Sequence, residues 1–232
     1  MTEQSKPLAL VTGVGPGTGA SVARRFAEGG YRVAMLARDA ERLAALEKEI
    51  PDSMALPCDV TDVAALEAIL ATVGAPQVVV HNAVGGAFGN FMDIDPEVLR
   101  RNFEINTMAL LHLARLTTPA MAAVGEGALI VTGNTSAQRG KAHFAGFAPS
   151  KAAQRILAES MARELGPKGV HVAYLIIDAV IDVPWQRERL PDAADDFFIH
   201  PKSIADEVFR LAHQARDAWS FLAEVRPFHE PW

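Results

Sequence analysis

The sequence predicts an α/β fold, a doubly wound parallel sheet in a single domain. Three observations carry that reading. Short apolar runs alternate with helix-period stretches along the chain. The first run opens directly into a glycine-rich bend and then a helix. The chain has 232 residues, 50% of them hydrophobic, which suffices for one domain with a large core.

The elements follow in order. Residues 8–11 (Leu-Ala-Leu-Val) are unbroken apolar sequence, as a strand buried on both faces requires. Gly13, Gly15, Gly17 and Gly19 then alternate with other residues. They let the backbone turn sharply and approach a ligand with no Cβ in the way. Val22, Ala23 and Phe26 share one face of the helix that follows. A bend feeding a helix N-terminus offers N–H groups and the positive end of a dipole, which suit a pyrophosphate. Gly15-x-Gly17-x-x-Ala20 fits the dinucleotide fingerprint in its Gly/Ala form. The expected domain is therefore of Rossmann type, spans residues 1–232 and binds NAD(P).

Gly29-Gly30 closes the first helix, and residues 31–37 form the second strand. Asp39 can cap a helix that runs to about residue 50 and stops at Pro51. Residues 54–59 read as the third strand, and Thr61 or Asp62 caps a helix to about residue 73. Residues 77–81 are the fourth strand. Asp95-Pro96 opens a long helical stretch to about residue 123, bent near Asn106. A fifth strand (128–132), a second long helix (144–165), a sixth strand (171–177), a helix from Pro201 and a last strand (219–226) complete the pattern. Residues 1–6 read as a frayed end. Ligands of such sheets sit beyond the C-terminal ends of the strands.

Composition excludes several classes. The net charge is −6 and the 22 basic residues are scattered, which argues against nucleic acid. The single Cys58, read as a packed thiol in an apolar strand, excludes an internal disulfide and a cysteine-cluster metal site. His81, His112 and His143 lack metal-ligand spacing, so no metal is expected. No leader and no run of 18 apolar residues is visible, so a cytoplasmic protein without membrane contact is expected.

Over residues 7–182 the chain resembles the short-chain dehydrogenase/reductase family. Thr12-Gly13-x-x-x-Gly17-x-Gly19 is similar to its cofactor turn. Asp59-Val60 stands where the family holds the adenine. Asn82-Ala83 follows the fourth strand as the family's Asn-Asn-Ala-Gly does, within His81-Asn82-Ala83-Val84. Asn106 matches the helix asparagine, and Ser150-Lys151 closes the Tyr-x-x-Ser-Lys motif. Ile181 matches the residue that touches the nicotinamide amide. The resemblance implies an oxidoreductase acting on a small carbonyl or alcohol. Its cofactor contacts would be Gly13, Gly15, Gly17, Thr18, Gly19, Arg38, Asp59, Val60, Asn82, Ala83, Lys151 and Ile181. It also implies a homodimer or homotetramer joined through residues 96–123 and 147–165.

At the end of the second strand an acid suits a ribose 2′-hydroxyl, and an arginine suits a 2′-phosphate. Arg38 stands there, which favours NADP. Asp39 follows and leaves NAD open, as does Pro16, which stands where NADP users often carry a basic residue.

Two departures bear on chemistry. The tyrosine position, four before Lys151, is Phe147, and the serine position thirteen before that is Asn134, followed by Thr135 and Ser136. Carbonyl reduction needs a hydride on carbon and a proton on oxygen, and Phe147 has no proton to give. Asn134 can still donate a hydrogen bond to a substrate oxygen. The catalytic candidates are therefore Asn106, Asn134 and Lys151. Lys151 would donate the proton directly or through a water near Asn106, with His143 and Tyr174 as weaker substitutes. His81 reads as a structural residue.

Asp178-Ala179 replaces the family's Pro-Gly. Asp178 and Asp182 are either solvated loop acids or recognise a basic or hydroxyl-rich ligand. Residues 183–200, with Trp185, Phe197 and Phe198, are expected to form a substrate lid over a partly apolar pocket. Residues 218–232 form an atypical strand and an aromatic, proline-rich tail suited to docking on another subunit. Two other readings stay open: a catalytically lapsed nucleotide-binding sensor or scaffold, and a lyase or isomerase that uses the same pocket without net redox.

Overall fold

In the computed structural model, which describes residues 6–230, the sheet has seven parallel strands in the order β3-β2-β1-β4-β5-β6-β9. These are β1 (Leu8–Thr12), β2 (Arg32–Ala37), β3 (Ser53–Pro57), β4 (Val78–His81), β5 (Gly127–Asn134), β6 (Val170–Ile177) and β9 (Leu222–Val225). The order reverses between β1 and β4, which opens a crevice at the C-terminal ends of those strands. A two-residue pair, β7 (Val180–Ile181) with β8 (Phe198–Ile199), stands apart from the main sheet.

Alternation along each strand divides the core into two layers. Ala9, Val11, Val33 and Met35 face α1 (Thr18–Glu28), α2 (Ala40–Glu49) and α8 (Pro201–Ala212), through Phe26, Leu43 and Val208 among others. Leu8, Leu10, Leu36 and Val131 face α3 (Val63–Val73), α5 (Ala109–Val124) and α6 (Ala148–Leu165), through Leu66, Leu113 and Ala158. Helices on both faces explain why the central strands carry almost no polar residues. Asp39, Asp62 and Asp95 cap α2, α3 and α4 (Pro96–Phe103) by accepting from backbone N–H groups two or three residues on.

The expected long helix from Pro96 is three pieces. Between α4 and α5 lies one π-helical stretch, residues Glu104–Met108, centred on Asn106. The wider turn lets Thr107 donate to the Ser150 carbonyl at 3.0 Å and frees the Asn106 carbonyl for a side-chain donor.

Other boundaries differ from expectation for local reasons. β3 stops at Pro57 because Asp59 folds back to accept from Thr61. Cys58 lies just past the strand, buried, with its thiol donating to the Asp59 carbonyl, and burial pushes that thiol up to about 11. It is an inert packed group. α6 starts at Ala148, four residues later than expected, because His143 adopts φ +66° and residues 144–147 form a separate turn. α7 (Pro184–Arg189) was not foreseen. The expectation of a frayed start falls almost wholly on residues 1–5, which lie outside the described residues, as do Pro231 and Trp232.

Candidate active site

The bend between β1 and α1 is held from below. Gly13 has φ +69°, and a Cβ there would lie 2.6 Å from the backbone of Ala83. At Gly19 it would meet the Gly13 carbonyl at 2.3 Å, and at Gly17 the Val183 side chain at 2.9 Å. A Cβ on Gly15, in contrast, would meet nothing within 4 Å. Gly15 therefore lines open space rather than packed protein. The N-terminus of α1 has no side-chain cap and no acid in its first turn. Beside it Thr18 Oγ1 is buried with no partner. An unfilled cradle and an orphaned hydroxyl at a helix N-terminus fit the phosphates of a dinucleotide.

Thr12, Asn82 and Thr132 tie this bend to the strands beside it. Thr12 Oγ1 accepts from the N–H groups of Asn82 (3.2 Å) and Ala83 (3.3 Å). Its one proton therefore goes to His81 Nδ1, 3.2 Å away, which leaves His81 neutral with hydrogen on Nε2, a buried atom without a hydrogen-bond partner among the described residues. Burial pulls His81 down to about 3, so it carries no proton in catalysis. Asn82 donates to the Gly13 carbonyl at 2.9 Å and accepts from Thr132 Oγ1 at 2.9 Å. Val60 and Ala83 pack with Ala109 beside the bend.

Lys151 lies at the centre of a buried network. Its Nζ donates to the Thr132 carbonyl at 3.1 Å and to Gln154 Oε1 at 2.5 Å. Burial pulls the ammonium down to about 7. Gln154 Oε1 also accepts from the Tyr174 phenol at 3.1 Å, and Gln154 Nε2 donates to the Asn106 carbonyl at 2.6 Å. The Asn106 side chain is wholly engaged: it accepts from Gly85 N–H and donates to the Gly85 carbonyl and Ser150 Oγ. It holds the loop after β4 against α6. Phe147 precedes Lys151 by one helical turn and packs under Phe88, with ring centroids 6.0 Å apart. Phe88 also meets Phe144 edge to face at 5.0 Å.

A family model described as short chain dehydrogenase matches residues 7–192. The chain belongs to the short-chain dehydrogenase family. The D-erythrulose reductase of Gallus gallus is 34% identical to it over 165 residues, 71% of this chain and 67% of that one. The 7alpha-hydroxysteroid dehydrogenase of Escherichia coli K12 is 29% identical over 223 residues, covering 89% and 87%. Among solved structures, a metagenomic short-chain oxidoreductase in complex with NADP superposes with a TM-score of 0.83 at 31% identity, covering 96% of this chain and 98% of that one.

In this member of the family the other candidates fall as follows. Arg38 is exposed and makes no hydrogen bond or ion pair among the described residues. Asp39, which could have met a ribose hydroxyl, is doubly engaged: Oδ1 caps α2 and Oδ2 pairs with Arg42 at 3.0 Å. Hydrogen bonds from Thr61 hold the Asp59 carboxyl below its usual range. Asn134 closes β5 and accepts from Ser136 N–H, and its amide N–H groups remain as donors. Ile181 sits on β7, half-buried against the core.

Some expectations need correction. Asp182 is neither solvated nor open to a ligand: Arg187 binds it at 2.7 and 3.0 Å and His200 at 3.1 Å, which holds its carboxyl low. Arg187 also reaches Asp195, so residues 182–200 are cross-tied. Asp178 faces Arg226 at 3.9 Å. The His143 ring makes no hydrogen bond among the described residues and is exposed, so only its backbone serves the site, accepting from Gly89. Burial raises the Tyr174 phenol, which stays protonated and shut inside the sheet and so is no acid. The tail turns back on its own chain, with His229 3.0 Å from Asp196, while Phe228 stays exposed.

Gln154 and Thr132 went unnoticed in the sequence, and Thr12 was read only as the first residue of the cofactor turn. A glutamine on a helix carries no local signal, although an interior-facing polar residue one turn after Lys151 could have prompted the question.

Proposed function

We propose that the chain binds NADP(H) and interconverts a small carbonyl compound and its alcohol, with Lys151 as the proton donor. The observation that carries this is the burial of Lys151 one turn from Phe147, with its ammonium lowered to about neutrality and two of its three N–H groups anchored. A lysine so placed is half charged near pH 7, which suits a group that gives and takes a proton. The nicotinamide, when bound, supplies or accepts the hydride. In reduction Lys151 passes its proton to the substrate oxygen, becomes a neutral amine and regains a proton from water in the cleft. Asn134 offers an amide N–H to the same oxygen.

The bend at Gly13–Gly19 and the orphaned Thr18 hydroxyl would hold the diphosphate, and Asp59 and Val60 the adenine end. Arg38, without a hydrogen bond or ion pair of its own among the described residues while Asp39 is engaged, supports a 2′-phosphate over a bare hydroxyl. Residues 183–200 would cover the substrate. Phe88, Phe144 and Phe147 give the mouth an apolar wall, so the substrate carries a hydrophobic group. A homodimer or homotetramer through residues 96–123 and 147–165 belongs to the same reading, as does a location in the cytoplasm. No described helix is long and apolar enough to cross a membrane.

The competing reading is a nucleotide-binding sensor or scaffold, favoured by the proton-free ring of Phe147. The test is turnover of NADPH with a panel of aromatic and aliphatic ketones by wild type and Lys151→Met. Turnover in wild type that falls at least a hundredfold in Lys151→Met supports the donor role. NADPH binding without turnover of any ketone supports the sensor.

A further inference from the structure

We propose that Gln154 is a positioning residue for Lys151, a fixed and uncharged acceptor that holds the lysine Nζ at the head of α6. The proposal deepens the reading of Lys151 as proton donor and rests on it for its role in the reaction.

The geometry leaves Gln154 one orientation. Oε1 takes two donors, Lys151 Nζ and the Tyr174 phenol, while Nε2 gives to the Asn106 carbonyl. Exchanging the amide O and N would set N–H groups against an ammonium and oxygen against a carbonyl. Each partner is itself immobilised. Asn106 is pinned by Gly85 and Ser150. Tyr174 lies under Gly133, where a Cβ would meet the ring at 2.2 Å. Gln154 is fully buried, and a buried amide with both its oxygen and its nitrogen bonded is a specific device rather than filler.

The charge of Gln154 decides what it does. The groups facing Lys151 are His81 from β4, neutral by burial, and Tyr174 from β6, protonated by burial. β5 presents the Thr132 carbonyl, and the π-helical stretch presents the Asn106 carbonyl through Gln154. Arg155, next along α6, turns to the Ala137 carbonyl and Glu159. Among the described residues no carboxylate bonds Lys151. An amide dipole therefore fixes the ammonium without returning it to the ordinary lysine range. A primary amide also cannot hand a proton onward in its stable form. Lys151 is accordingly recharged from the cleft, not through Gln154.

The test uses the full chain labelled with 15N-lysine, with the Lys151 resonance identified by its loss in Lys151→Met. The variants are Gln154→Glu, Gln154→Leu and Tyr174→Phe. Gln154→Glu sets a carboxylate beside Nζ and raises the Lys151 titration midpoint by more than one pH unit. Gln154→Leu removes the anchor and broadens or shifts the resonance, and Tyr174→Phe moves it less. The high-pH limb of kcat/KM for ketone reduction follows the midpoint in Gln154→Glu. A midpoint unchanged in Gln154→Glu and Gln154→Leu overturns the proposal, and if Gln154→Glu does not fold, Gln154→Leu with Tyr174→Phe decides. A midpoint that moves while the rate profile stays put overturns Lys151 as donor and leaves the Gln154–Lys151 link standing.

Discussion

Asn82 donates its amide to the Gly13 carbonyl across 2.9 Å, joining the loop after β4 to the bend after β1. The two residues are 69 apart in sequence. The same side chain accepts from Thr132 at the end of β5, so one asparagine ties three strand ends together. Asn82→Ala should lose about 1–3 kcal/mol of stability, since it strands a half-buried carbonyl and a hydroxyl. Thermal unfolding should show a drop of several degrees, and calorimetry a weaker NADPH affinity. An unchanged melting temperature would contradict the tie.

Gly15 and Gly19 should part company. Gly19→Ala forces a Cβ into the Gly13 carbonyl and should destabilise the fold. Gly15→Ala meets nothing and should leave stability within about 0.5 kcal/mol. It should still weaken NADPH binding, because the added methyl fills the cradle. If Gly15→Ala binds NADPH as wild type does, the diphosphate does not lie there.

Arg38 is the group that should choose between the two nucleotides. A charge-assisted contact of about 1.5–3 kcal/mol corresponds to roughly 10- to 150-fold in affinity. Arg38→Ala should lose that factor for NADPH and almost nothing for NADH. Equal losses for both would rule out the 2′-phosphate contact.

The pH dependence follows from Lys151. Its folded value, about 7, lies below the unfolded value, so folding releases a proton between the two. This group's contribution to stability therefore rises with pH from about 7 up to the ordinary lysine range. In the rate, reduction needs the ammonium, so kcat/KM for reduction should fall tenfold per unit above about 7. Oxidation needs the amine and should rise through the same point. Profiles of both directions that are flat from pH 6 to 9 would exclude Lys151 as the donor.

Phe147→Tyr sets a phenol one turn from Lys151, on a ring that is buried beneath Phe88. It should raise ketone reduction at least tenfold above pH 8, where wild-type Lys151 is discharged. A folded variant with wild-type rates there would mean that position 147 no longer faces the reacting oxygen.

The glycine bend, the apolar strands and the caps at Asp39, Asp62 and Asp95 were all legible in the sequence. Each is a local matter, settled within four residues by backbone freedom, period or a side chain reaching its own helix. Asp39 shows where such reading stops. The sequence set it beside Arg38 as a rival for the ribose, while the folded helix engages both its oxygens at once, with the Arg42 backbone and the Arg42 guanidinium. Asn106 was found, but its partners were not: its side chain holds Gly85 and Ser150, and its carbonyl serves Gln154, 48 residues away.

By itself, then, the order of residues determined a parallel sheet wound on both faces and a dinucleotide bend at its switch point, because periodicity and glycine spacing act over short stretches of chain. Only the tertiary structure decided which polar groups are already engaged and which are left for a ligand, because that depends on partners brought together from distant strands. Lys151 illustrates both halves. Its place in a Ser-Lys pair was plain, but the low-dielectric setting that discharges it near neutrality exists only once β5, β6 and the π-helical stretch close around it.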